Sequence, residues 1–148
     1  AEAADLLAEA HHIPVIFMGG PAERPETRAV MARMRTKAVD LTGQTPVGLL
    51  PSLLRRAAVF VTNDSGPMHI AAAVGTPVVA LFGPTDPEKT GPYGEGHVVL
   101  SNPVECRPCF RRECSRAATL ECLTGVTPEQ VVRAVQRQLG RLDTSGSS

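Results

Sequence analysis

The densest chemistry in the chain lies at Asn63-Asp64-Ser65-Gly66-Pro67-Met68-His69, where short polar residues, a glycine and a proline follow the apolar run Val59-Phe60-Val61. Proline fits the first turn of a helix, and the small residues Ala71, Ala72, Ala73 and Gly75 let that helix pack close against a strand. A helix that starts here leaves backbone N–H groups and the positive end of its dipole at the carboxyl edge of a sheet. That is a ready site for a phosphate or pyrophosphate. The amides of Ser65 and Gly66, with the Ser65 hydroxyl, would hold such an anion. His69, four residues after Ser65, shares the helix face and can donate to it. The plainer alternative is that Asp64 or Ser65 caps the helix and His69 packs beneath the loop. For Asp64, capping is the stronger reading over a general base.

The elements that must position this turn follow from the apolar pattern. Thr76-Pro77-Val78-Val79-Ala80-Leu81-Phe82 reads as a second strand, running into the turn Gly83-Pro84-Thr85-Asp86-Pro87. Two successive strands thus open polar, glycine-containing loops on one edge of a parallel sheet, the edge where ligands bind in open α/β folds. Upstream, Ile13-Pro14-Val15-Ile16-Phe17-Met18 reads as a strand opening onto Gly19-Gly20-Pro21-Ala22-Glu23, where glycines permit close approach to the backbone. By residue type alone, Glu23 is the exposed member of a tight turn. The pattern further predicts a helix over 26–36, a short strand over 39–41 and a loop over 42–45. A helix over 46–57 follows, with Leu49, Leu50, Leu53 and Leu54 on one face. Then come a strand over 58–62, a helix over 66–74, a strand over 77–82, a loop over 83–96 and a strand over 97–100. Thr127-Pro128-Glu129-Gln130 opens a last helix as a capping box, with Val131, Val132 and Val135 as its stripe. Strands alternating with helices give an α/β fold, a Rossmann-like parallel sheet with helices on both faces. The first twelve residues are helical in pattern, through Ala3, Leu6, Leu7 and Ala10, so the strand that should precede them is expected upstream.

At 148 residues the chain suits one domain, taken as 1–142, followed by a polar tail over 143–148. Fifteen basic residues balance fifteen acidic ones, which gives no support to nucleic-acid binding. No apolar run reaches the length of a membrane span, and the first residues lack a signal-peptide pattern, so a soluble cytoplasmic protein is expected. Cys106, Cys109, Cys114 and Cys122 are spaced C-x2-C-x4-C-x7-C. Reduced thiols that pin a loop by packing are the favoured reading, and a tetrahedral zinc site is the alternative. Arg107, Arg111, Arg112 and Arg116 read as a solvated face rather than a site for a phosphorylated acceptor.

The string Val61-Thr62-Asn63-Asp64-Ser65-Gly66-Pro67-Met68-His69-Ile70-Ala71-Ala72-Ala73, followed by Leu81-Phe82-Gly83-Pro84-Thr85-Asp86-Pro87, resembles the carboxyl-terminal half of the ADP-heptose:lipopolysaccharide heptosyltransferases, glycosyltransferase family 9. The cysteine segment Cys106-Arg107-Pro108-Cys109-Phe110-Arg111-Arg112-Glu113-Cys114 with Cys122-Leu123 resembles the heptosyltransferase II branch. The resemblance implies the carboxyl-terminal half of a GT-B fold that binds ADP-heptose for transfer, with inversion, to the lipopolysaccharide inner core. It further implies a nucleotide-sugar-binding set of Gly19, Gly20, Glu23, Thr45, Asp64, Ser65, Gly66 and His69. In it Glu23 meets the ribose and the Gly43-Gln44-Thr45 loop lies along the adenine. No Asp-x-Asp metal motif occurs, in keeping with transfer that needs no metal or other cofactor. The family's catalytic base, an aspartate of an amino-terminal domain, and a lysine upstream of this segment are not among these residues. The chain alone is therefore expected to bind ADP weakly and to transfer no heptose. Its acceptor, lipopolysaccharide core, would bring it to the cytoplasmic face of the inner membrane. Two other readings remain open at this point, a GT-B domain for another nucleotide sugar and a non-catalytic nucleotide- or phosphate-binding module. Selectivity for ADP over UDP and GDP tests the first, and turnover tests the second.

Overall fold

The computed structural model describes residues 1–114 and 120–145. Two compact units divide the chain, Ala1–Leu50 and Pro51–Ser148. The division follows the hydrogen bonding: among the described residues the strands form one two-stranded and one three-stranded sheet, not a single ladder. All pairings are parallel, as the strand–helix alternation predicts.

The first unit opens with helix α1 (Glu2–His11), followed by strand β1 (Val15–Phe17), a 3-10 turn at Pro21–Glu23, helix α2 (Arg24–Met31) and strand β2 (Ala38–Asp40). Strand β1 pairs with β2 in the register Val15 to Ala38 and Phe17 to Asp40. The apolar stripe of α1 buries Leu7, but it also buries Asp5, which is 1% exposed. The Asp5 carboxylate accepts from the backbone N–H groups of Arg35 and Thr36 and from the Thr36 hydroxyl at 2.7 Å. These bonds, the Thr36 hydroxyl foremost, lower the Asp5 pKa to about 2. The carboxylate thereby ties the loop before β2 to α1. Helix α2 ends at Met31, and Ala10, expected on the apolar stripe of α1, is exposed.

Helix α3 (Leu50–Arg56) begins at the boundary between the units. It starts four residues later than its leucine pattern predicts, because Pro46 to Leu49 form turns and Leu49 stays 49% exposed. Only Leu54 of the predicted leucine face is fully buried. Strand β3 (Phe60–Asn63), helix α4 (Gly66–Ala73), strand β4 (Val78–Phe82), helix α5 (Pro87–Thr90) and strand β5 (Val98–Ser101) follow. Helix α6 (Glu121–Thr124) and the long helix α7 (Pro128–Ser145) close the chain. The sheet order is β3-β4-β5, so β4 is central. Successive side chains of a strand face opposite sides, and Val78, Val79 and Ala80 are all fully buried; both faces of β4 are therefore covered. Helices α4, α6 and α7 pack against it.

Two details fix this packing. The Thr127/Gln130 capping box forms as predicted, with Gln130 Oε1 accepting from Thr127 N–H at 2.8 Å and Thr127 Oγ1 accepting from Gln130 N–H at 3.3 Å. The buried stripe of α7 is Val131, Ala134, Val135 and Gln138, so Val132 lies to one side of it. His97, expected to open the last strand, sits just before it; its Nδ1 accepts from Val78 N–H at 3.2 Å. That bond places the ring proton on Nε2, which donates to the Tyr93 carbonyl at 3.1 Å. Helix α7 runs through 143–145, residues expected in the tail, and 146–148 lie outside the described residues.

Candidate functional site

Strand β3 ends at Asn63, and the chain turns through Asp64 and Ser65 into α4. Ser65 is the N-cap residue in extended conformation, and Pro67 occupies the first helical turn. Met68 N–H donates to the Ser65 carbonyl at 3.1 Å, while Met68 and Ala71 form the buried face of the helix. The expected capping by Asp64 or Ser65 does not occur. The Ser65 hydroxyl pairs with the Thr62 hydroxyl at 3.1 Å, and Asp64 Oδ2 accepts from the Thr90 hydroxyl at 2.9 Å. Both side chains are thus held by threonines, and the helix has no side-chain cap. Among the described residues the Gly66 N–H has no hydrogen-bond partner. Gly66 is exposed, and a Cβ built on it would meet nothing within 4 Å. His69 is exposed on the first turn. An unbonded amide at the positive end of a helix suits an anion.

The turn after β4 forms the neighbouring wall. Asp86 Oδ1 accepts from Glu88 N–H at 3.1 Å and so caps α5, while the Thr90 hydroxyl also lies 3.1 Å from the Asp86 carbonyl. Thr90 therefore links the turn after β4 to the turn after β3. The cysteine segment grips the same wall through its backbone. Cys109 N–H and Phe110 N–H both donate to the Pro84 carbonyl, at 3.0 and 2.9 Å. Phe110 sits at φ 53°, a left-handed conformation unfavourable for a bulky residue, and Lys89 Nζ lies 5.8 Å from its ring centre. Arg107 does not join a solvated face as expected. Its guanidinium donates to the carbonyls of Asn102 and Thr85 at 3.2 and 3.3 Å, while Arg111 and Arg112 are exposed and Arg116 lies outside the described residues. Gly83 is buried against α6, where a Cβ would lie 2.8 Å from Leu123 Cγ. Cys106 is exposed, Cys109 and Cys114 are half-buried and Cys122 is buried. Among the described residues no three His, Cys, Asp or Glu side chains form a group able to hold a metal ion.

In the Ala1–Leu50 unit, the loops after β1 and β2 come together. Gly43 N–H donates to the Gly19 carbonyl at 2.8 Å, and Arg24 reaches the carbonyls of Thr42 and Gly43. Gly43 lies at φ 69°, and a Cβ there would meet Arg24 Nε at 2.8 Å, so glycine is required. Glu23 Oε2 accepts from Gly20 N–H at 2.6 Å, which closes its own loop and leaves Oε1 unbonded among the described residues. A Cβ on Gly19 would press on that carboxylate at 2.8 Å. Asp40 Oδ1 accepts from Thr42 N–H at 2.8 Å, and this bond above all lowers its pKa. The Thr45 hydroxyl lies 3.4 Å from the Leu41 carbonyl, so its strongest geometry is internal to the turn.

The structure thus groups Gly19, Gly20 and Glu23 beside the 42–45 loop in one unit, and Asp64, Ser65 and Gly66 in the other. Thr90, Arg24 and Arg107 escape a reading by motif because each acts through a partner distant in sequence or through a backbone atom, and Thr62 escapes it because it reads as part of the strand. One signal was available: Asp86-Pro87 is a helix-start pattern that marks α5 and hence Thr90 at its end.

Residues 1–119 match the model for glycosyltransferase family 9 (heptosyltransferase). The chain is 29% identical to lipooligosaccharide heptosyltransferase 2 of Campylobacter jejuni, over 88% of this chain and 42% of that protein. It is 31% identical to lipopolysaccharide heptosyltransferase 1 of Pseudomonas aeruginosa, over 82% of this chain and 37% of the relative. The solved structure of Escherichia coli ADP-heptose lps heptosyltransferase II superposes with a TM-score of 0.80 at 25% identity, over 96% of this chain and 40% of that one. The chain spans about two fifths of the length of these relatives. Parallel α/β units with the Asp64-Ser65-Gly66 turn at the carboxyl edge, and a family model matched over 1–119, lead to one conclusion: the chain belongs to glycosyltransferase family 9, the heptosyltransferases.

Proposed function

We propose that the chain is the nucleotide-sugar-binding part of a longer heptosyltransferase, which takes heptose from ADP-heptose and adds it, with inversion, to the lipopolysaccharide inner core. The observation that carries this reading is the uncapped N-terminus of α4, in a chain of this family, with the Gly66 N–H unbonded and Gly66 itself exposed. Transfer breaks the bond between the anomeric carbon and a β-phosphate oxygen, and negative charge grows on the departing ADP. A fixed helix N-terminus stabilises that charge without reorganising during the reaction. The Ser65 and Gly66 amides and the Ser65 hydroxyl hold the pyrophosphate, and the exposed His69 donates to it. Acceptor binding and the base that removes the acceptor proton belong to the rest of the longer protein. No helix among the described residues is long and apolar enough to cross a membrane, and the proposed place of action is the cytoplasmic face of the inner membrane.

Calorimetric titration of the chain with ADP, UDP and GDP tests this reading. Tighter binding of ADP than of the other two is expected. Equal affinity for all three, or binding of none, contradicts it.

A further inference from the structure

Three aspartates of this chain stand at a strand end or in the turn that follows one, and two of them behave alike. Asp40 Oδ1 takes the N–H of Thr42 at 2.8 Å, and Asp86 Oδ1 takes the N–H of Glu88 at 3.1 Å. Both are bonds from residue i to the amide of i+2, the habitual local bond of aspartate in a turn. Asp64 stands in the same position relative to Gly66, yet its carboxylate lies on the Thr90 hydroxyl instead, at 2.9 Å. Thr90 ends α5, and the Asp86 carbonyl, 3.1 Å from the same hydroxyl, is the alternative acceptor for its single proton. Ser65, the other residue able to cap α4, is engaged by Thr62 at 3.1 Å.

We propose that Thr90 is a positioning residue for the turn after β3: by holding the Asp64 carboxylate it keeps that group off the Gly66 amide. The inference rests on the anion site proposed above and explains why that site stays open. A carboxylate folded back over the turn would take the Gly66 N–H and set a negative charge where a diphosphate must lie. Thr90 removes both obstacles with one hydrogen bond. The role of its hydroxyl runs through Asp64.

The test uses Thr90→Val, which keeps the shape and removes the donor, with Thr90→Ser as the conservative rescue and Thr90→Ala as a second loss variant should valine disturb folding. Amide hydrogen exchange at Gly66, followed by NMR without ligand, should slow at least tenfold in Thr90→Val and return to the wild-type rate in Thr90→Ser. ADP affinity should fall at least tenfold in Thr90→Val. In an Asp64→Ala background the same Thr90→Val change should have no further effect on ADP, because the intruding carboxylate is gone. An unchanged Gly66 exchange rate in both loss variants overturns the inference. So does a Thr90→Val loss of ADP affinity that persists in the Asp64→Ala background, which would mark Thr90 as merely structural. If the wild-type chain binds no ADP, the proposed function fails, and the exchange rates alone decide the role of Thr90.

Discussion

Replacing Gly66 with valine separates the ligand role of the turn from its folding role. Gly66 is the first residue of α4 and does not lie at positive φ, so a side chain there meets no backbone strain. Its Cβ would find nothing within 4 Å, and valine favours a helix more than glycine does. The melting temperature should therefore change little. The ligand side is different, because a branched side chain would stand where a phosphate must approach the Gly66 backbone. A hydrogen bond from an amide to a charged acceptor contributes roughly 1.5–3 kcal/mol. Losing one such bond weakens ADP binding at least tenfold, about 1.4 kcal/mol. Calorimetry gives the affinity, and circular dichroism with a thermal melt confirms the fold. Gly66→Ala, with a single carbon, should lose less. A folded Gly66→Val protein that binds ADP as tightly as wild type would remove this amide from the account.

Three further outcomes follow from other parts of the fold. Asp5 is ionised in its buried network with a pKa of about 2, so its contribution to stability is complete above the ordinary carboxylate range, near pH 4, and disappears as pH falls through about 2. Asp5→Asn should lower the melting temperature at pH 7, and the gap from wild type should close near pH 2; a constant gap across that window would contradict the assignment. Thr76, 3% exposed, donates its hydroxyl to the Leu54 carbonyl at 2.7 Å, and that carbonyl also accepts from Ala57 N–H. Thr76→Val leaves it partly satisfied, so the loss should be about 1 kcal/mol, read as a drop of roughly 2–4 °C in melting temperature. The cysteine segment holds the 83–86 turn through backbone bonds, so the purified protein should show four titratable thiols and little bound metal. About one equivalent of zinc, with a lower melting temperature on chelation, would show a metal site instead.

The parts of the fold that were legible in sequence are those governed by local rules. The strand–turn–helix at Phe60 to Ala73 and the Thr127/Gln130 capping box were readable because apolar period, proline placement and capping chemistry all act within a few residues. Asp5 was not readable, since a buried carboxylate on an apolar helix looks like a surface residue until Arg35 and Thr36 are brought to it. The leucines before Leu50 fit a helical period, yet Pro46 and Gly48 favour turns and delayed the start of α3. The Asp64-Ser65 pair illustrates the limit at the site itself. Their types correctly marked a helix start, but which partner each would take depended on Thr90 and Thr62, and only one of those lies nearby in sequence.

The central claim is that the backbone at the start of α4 holds the pyrophosphate of the donor. The most direct measurement is an NMR titration of isotopically labelled chain with ADP, following the backbone amides one by one. The account predicts that the Ser65 and Gly66 amide protons move downfield as hydrogen bonds to phosphate form, with adenosine alone leaving them in place. ADP binding that leaves Ser65 and Gly66 unmoved would contradict it.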